Sequence, residues 1–159
     1  LQKVKIMAET AIEAVCPTRD PRFSLVNGKC FLFVNDTKNQ NEAKLDCENQ
    51  FARNTVGRLY EPRDATMNNL VYEEAKIVFG KDDYLWLGIE DRSAETQWTY
   101  SSSGQNASTM FWNSGQPDGS ASSDQECVRT GKVSDGVWND IACSSSYRYI
   151  CEFEDRTLI

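Results

Sequence analysis

The chain has no histidine. That absence removes the commonest zinc ligand and the usual general base at neutral pH, so Ser-His-Asp and Cys-His chemistry are excluded. No apolar run approaches the roughly 20 residues that a membrane-spanning helix requires. The opening stretch, LQKVKIMAETAIEAV, carries Glu9 and Glu13 and lacks a compact apolar centre, so it does not read as a signal peptide. Positive charge is scarce: 17 Lys and Arg against 24 Asp and Glu leave a net charge of −7. Such a balance repels phosphate backbones and makes nucleic acid a poor partner. No Cys-x-x-Cys spacing occurs, so thioredoxin-like and zinc-ribbon readings lose their usual signature. What the chain holds in quantity is carboxylate and amide oxygen, the hard ligands suited to calcium.

The cysteines number six, Cys16, Cys30, Cys47, Cys127, Cys143 and Cys151. An even count without metal spacing reads as three disulfides formed in an oxidising compartment, hence a secreted, extracellular protein. Two N-glycosylation sequons, at Asn35 and Asn106, agree with that compartment. A length of 159 residues suits one domain with a real core.

Along the chain, residues 1–15 read as a helix, with Leu1, Val4, Ala8, Ala11 and Val15 at a 3-4 spacing. Two readings stay open for it: an amphipathic helix packed on its own domain, or a stalk that assembles a homo-oligomer. Pro17 ends it, and residues 16–159 form the globular domain. A strand is expected over 30–34 and a helix over 41–53 with Ala43, Cys47 and Phe51 on one face. A second helix is expected from the N-cap Asp64 to about Phe79, with Met67, Leu70, Val71, Ala75 and Val78 as its apolar stripe. Further strands fall at 84–89, 126–130, 136–139 and 147–153, the last with Tyr147, Tyr149, Cys151 and Phe153 on one face. Between Tyr100 and Asp124, Ser, Gly, Asn, Gln and Asp dominate, which predicts a long loop of functional kind. Helices first and strands after argue for an α+β fold.

Trp86-Leu-Gly-Ile89, Gln116-Pro-Asp118, Glu126-Cys-Val128, Trp138-Asn-Asp140 and Tyr149-Ile-Cys-Glu152 occur in that order. In order, spacing and cysteine frame they resemble the signature of the C-type lectin-like domain family over about residues 16–154. The N-terminal helix followed by Cys16 resembles the long-form, tetranectin-like members. The resemblance implies two helices flanking small antiparallel sheets, with a long calcium-binding loop. It implies that Gln116, Asp118, Asn139 and Asp140 surround one calcium, with a cis proline between Gln116 and Asp118. The family has Glu two residues before the cysteine that is Cys127 here, whereas this chain has Gln125. The loop from Gln116 to Cys127 is also one residue longer. Either Asp124 supplies the carboxylate, or Gln125 supplies a neutral oxygen that lowers affinity; Asp124 is preferred. Asp91 and Glu95 match the acidic pair of an auxiliary site that Glu126 completes. The four tryptophans match family positions for core and loop packing. Of the fifteen pairings that six cysteines allow, those expected are Cys16–Cys30, Cys47–Cys151 and Cys127–Cys143.

The function implied is calcium-dependent binding of glycans on cell surfaces or glycoproteins. Gln116, Asp118 and Asn139 would meet the sugar. Gln-Pro-Asp goes with galactose-type sugars in the family, although residues 119–126 lack the aromatic that often stacks on galactose. The competing reading is a protein-binding domain of the same fold with structural calcium only, since fold alone does not decide function. An enzyme using two carboxylates is a third class, but nothing in the sequence suggests a buried proton donor, so no catalysis is expected.

Overall fold

The computed structural model describes residues 15–50, 52, 54–91, 97–118, 126–131 and 136–156. Within them the order is β1 (Phe23–Val26), β2 (Lys29–Lys38), α1 (Gln40–Asn49), β3 (Thr55–Leu59), α2 (Ala65–Phe79), β4 (Leu85–Glu90), β5 (Thr99–Tyr100), β6 (Glu126–Thr130), β7 (Trp138–Ala142) and β8 (Tyr147–Asp155). The architecture is α+β. Residues 1–14 lie outside the described residues, as do Asp124, Gln125 and Glu95, so the readings placed on them are not addressed by the geometry.

Both helices begin where their caps dictate. Asn39 accepts the Glu42 N–H at 2.9 Å while Glu42 reaches back to the Asn39 N–H at 3.3 Å, which satisfies two free donors of α1. α1 is shorter than the expected 41–53: it stops at Asn49 because Gln50 turns to extended backbone. Phe51 falls outside the described residues. Asp64 caps α2 by accepting the Met67 N–H at 2.7 Å, and Gly80 closes it in the left-handed region that glycine occupies without steric cost. The buried face of α2 is Asn68, Val71, Tyr72 and Ala75. Leu70 does not belong to it and is 40% exposed. At about 100° per residue, Leu70 lies about 100° from Val71 and about 200° from Tyr72, which turns it away from the face that positions 68, 71, 72 and 75 share.

The sheet runs β1-β2-β8-β4-β6-β7, with β3 also on β8 and β5 also on β4. Only β4 and β8 pair in parallel among these strands. The two-residue period of β8 divides the interior into two clusters. Tyr149, Cys151 and Phe153 point to one, with Leu32, Ala43, Leu59 and Trp86; Ile150 points to the other, with Phe31, Phe33, Val71, Leu87 and Trp138. The disulfides are Cys16–Cys30, Cys47–Cys151 and Cys127–Cys143, and their six cysteines all lie in the first cluster. β7 begins two residues later than the expected 136–139 strand and runs to Ala142. No helix among the described residues is long and apolar enough to cross a membrane.

Candidate functional site

The long loop opens as a hairpin rather than as irregular chain. β5 lies against β4, Thr99 bridges Asn106, and the Ala107 N–H donates to the Trp98 carbonyl at 2.9 Å. Farther along, the chain is laced to the start of β7. The Trp138 N–H donates to the Phe111 carbonyl at 2.7 Å, and the Asn113 N–H donates to the Trp138 carbonyl at 2.8 Å. The rings add edge-on packing: Trp98–Trp112 at 4.9 Å, Phe111–Trp138 at 5.1 Å and Trp112–Trp138 at 6.0 Å between centroids. Such pairs contribute about 0.5–1.5 kcal/mol each beyond their buried area. All four tryptophans therefore serve packing; Trp86 and Trp138 are fully buried.

This lacing carries Gln116 and Asp118 to β7. The Gln116 N–H donates to the Asn113 carbonyl at 2.9 Å, the Gln116–Pro117 bond is cis, and the Asp118 N–H donates to Asp140 Oδ1 at 3.0 Å. Asn139 and Asp140 follow Trp138 on β7, opposite Arg129 and Val128 of β6. Among the described residues, Gln116 Oε1 and Asn139 Oδ1 are buried and have no hydrogen-bond partner. An unsatisfied buried acceptor costs about 1–3 kcal/mol. No three His, Cys, Asp or Glu side chains among the described residues are placed to hold a metal ion together. Calcium, however, takes amide oxygens as readily as carboxylates, and here the amides are the orphaned groups. The donor set of two amides and two acids fits a hard cation.

The second acidic group is built differently. Asp91 Oδ1 accepts the Glu126 N–H at 3.0 Å, and the Asp91 N–H donates to the Glu126 carbonyl at 3.1 Å. Glu90, Asp91 and Glu126 are all buried. The fold thus brings Asp91 and Glu126 together, with one Asp91 oxygen already engaged. The buried Glu90 was not singled out by sequence reasoning; its place at the end of the apolar run Leu85–Ile89 gave no signal beyond strand.

The backbone superposes on that of the C-type lectin CEL-I from Cucumaria echinata with a TM-score of 0.74, over 84% of this chain and 96% of that one at 19% identity, a likeness of fold. The model of the lectin C-type domain family matches residues 36–153. Human tetranectin is 30% identical over 156 residues, 96% of this chain and 71% of tetranectin. A Patiria pectinifera protein named alpha-N-acetylgalactosamine-specific lectin is 30% identical over 137 residues, 86% of this chain and 80% of that protein. The chain belongs to the C-type lectin domain family.

Proposed function

We propose that this domain binds carbohydrate of the galactose or N-acetylgalactosamine type through a calcium ion held by Gln116, Asp118, Asn139 and Asp140. Asp124 is the proposed fifth side chain, and Asp91, Glu95 and Glu126 the proposed second site. The observation that carries the reading is the pair of buried, partnerless amide oxygens, Gln116 Oε1 and Asn139 Oδ1, beside the Asp118–Asp140 contact. The bound ion supplies an anchor for two neighbouring sugar hydroxyls. Gln116, Asp118 and Asn139 then hydrogen-bond those hydroxyls, and their chemistry sets which geometry fits: a carboxylate only accepts, whereas an amide NH₂ only donates. The galactose-type order, amide at 116 and acid at 118, agrees with the N-acetylgalactosamine specificity in the name of the Patiria pectinifera relative. The three disulfides and the exposed Asn35 and Asn106 support an extracellular protein that carries N-glycans; a mass decrease on enzymatic deglycosylation of secreted protein checks this.

The test is a glycan array and a melting curve, each with calcium and with EDTA. At free calcium 100-fold above its Kd, one site stabilises by about 2.7 kcal/mol. A higher Tm in calcium, with galactose-type binding that EDTA reverses, is expected. The double change Gln116→Glu with Asp118→Asn should move preference toward mannose. A calcium-raised Tm without sugar binding would instead favour the protein-binding alternative, and equal melting curves would remove the calcium site.

A further inference from the structure

The loop that carries Gln116 and Asp118 is gripped at its root by a segment outside the candidate site. Glu61, between β3 and α2, is 1% exposed. Its Oε2 accepts the Ser102 N–H at 2.9 Å, and its Oε1 lies 3.1 Å from Arg63 Nη2 and 3.8 Å from Arg58 Nε. Arg63 itself reaches the same hairpin twice. Its guanidinium sits 4.0 Å above the Tyr100 ring, and its carbonyl accepts the Thr109 hydroxyl at 3.1 Å. Gly88 of β4 makes the floor. A Cβ there would come within 2.8 Å of Glu61 Cγ and 2.9 Å of Ser101 Oγ, and the Gly88 carbonyl accepts the Ser101 N–H at 2.8 Å.

We propose that Glu61 and Arg63 form a clasp that fixes the 99–109 hairpin and, through it, sets the calcium affinity of the Gln116–Asp140 group. Glu61 is a positioning residue and touches neither ion nor sugar. The proposal rests on the calcium-site reading above. The route is physical: the clasp holds Tyr100, Ser102 and Thr109, the next residues lace to Trp138, and Trp138 precedes Asn139 and Asp140. Calcium tolerates varied ligand directions, but each oxygen must reach within about 2.3–2.6 Å of the ion and the rigidity of the site tunes its affinity, so a loosened loop binds more weakly.

The buried charge separates positioning from plain structural support. Burial pushes the Glu61 carboxyl above the ordinary range, with Glu152 adding to the rise and the Ser102 N–H and Arg58 opposing it. A raised carboxyl means that ionisation is a net cost to folding at neutral pH. Glu61→Gln keeps the shape and an acceptor for Ser102 but removes the charge that holds Arg63. The experiment is calcium titration calorimetry on the full chain at neutral pH, with melting in EDTA, for wild type, Glu61→Gln and Arg63→Met. The expected result is calcium binding weakened about three- to tenfold in Glu61→Gln, with an EDTA Tm equal to or above wild type. Arg63→Met, at a side chain 47% exposed, removes the other half of the clasp and should weaken binding in the same direction. The gap between wild type and Glu61→Gln should narrow as pH falls and Glu61 itself protonates facing Arg58, Arg63 and Glu152. Unchanged calcium affinity in both variants overturns the clasp, and so does a loss of affinity matched by a fall in EDTA Tm. No calcium binding by wild type fails the site reading itself, a result the variants cannot mimic.

Discussion

The two faces of the sheet are stabilised by different means. On the face covered by α1, the six cysteines share one cluster with Phe23, Leu32, Leu59, Trp86 and Phe153. On the face covered by α2, the cluster contains no cysteine and is built from Phe31, Phe33, Tyr60, Leu87, Ile89, Tyr100, Val128 and Trp138, with Phe111 and Trp112 packed on its margin. Covalent bonds hold the first face whatever ion is present. Packing holds the second, and the long loop belongs to that second face. The candidate site joins both: Gln116 and Asp118 come from the packed side, while the β6–β7 hairpin that carries Asn139 and Asp140 is fastened by Cys127–Cys143. An ion bound there would fasten the loop to the hairpin, completing by coordination what disulfides achieve on the other face.

Breaking the covalent face should have the largest effect. Cys47–Cys151 closes a separation of 104 residues and Cys16–Cys30 one of 14. In the chain-entropy model these are worth about 4.7 and about 3 kcal/mol. Replacing Cys47 and Cys151 by Ala should therefore cost more in urea unfolding than replacing Cys16 and Cys30. Equal losses would mean that local packing, not loop closure, sets their worth. On the packed face, Trp138→Ala should cost about 3–5 kcal/mol, since it empties a fully buried aromatic site. It should also abolish any calcium-dependent rise in Tm while peptide mapping still finds all three disulfides. Retention of the calcium effect would show that Trp138 does not anchor the loop.

The same contrast explains what the sequence could and could not reveal. α2 was readable from Asp64 to Phe79 because its cap and apolar spacing are local signals. β8 was readable because Tyr149, Cys151 and Phe153 alternate over a long run. β1 and β3 were not anticipated. β3, Thr-Val-Gly-Arg-Leu, is short and partly polar, and its glycine is explained only by tertiary contact: a Cβ on Gly57 would lie 2.4 Å from the Cys47 carbonyl. The motif residues of the candidate site were legible because they lie in two short tracts, and the fold brings those tracts to one hydrogen bond, Asp118 to Asp140. Glu61 was not legible. In sequence it is an acid before a proline, and its meaning comes from Ser102, 41 residues away.

The smallest effect sharpens the contrast by pH. Disulfide-bonded cysteines do not titrate, so acid should reach the fold through its carboxylates. On the Ile150 side of β8, opposite the cystines, Arg58 bonds Glu152 at 2.7 Å and also pairs with Glu154, and Lys29 meets Glu152 at 2.8 Å. The hydrogen bond from Arg58 lowers the Glu154 carboxyl below its ordinary value, against a smaller opposing effect of burial. A lowered carboxyl stabilises the fold above its unfolded pKa, about 4.3, and that contribution is lost as pH falls through the lower folded value. Because Glu154 is 41% exposed, solvent screening holds the pair to about 1 kcal/mol or less. Glu61 titrates with the opposite sign, but it is common to wild type and variant and cancels between them. Thermal melts in EDTA from about pH 5 to about pH 3 should therefore show a slightly shallower loss of stability in Glu154→Gln than in wild type. Identical slopes would place the acid sensitivity elsewhere than at the Arg58–Glu154 pair.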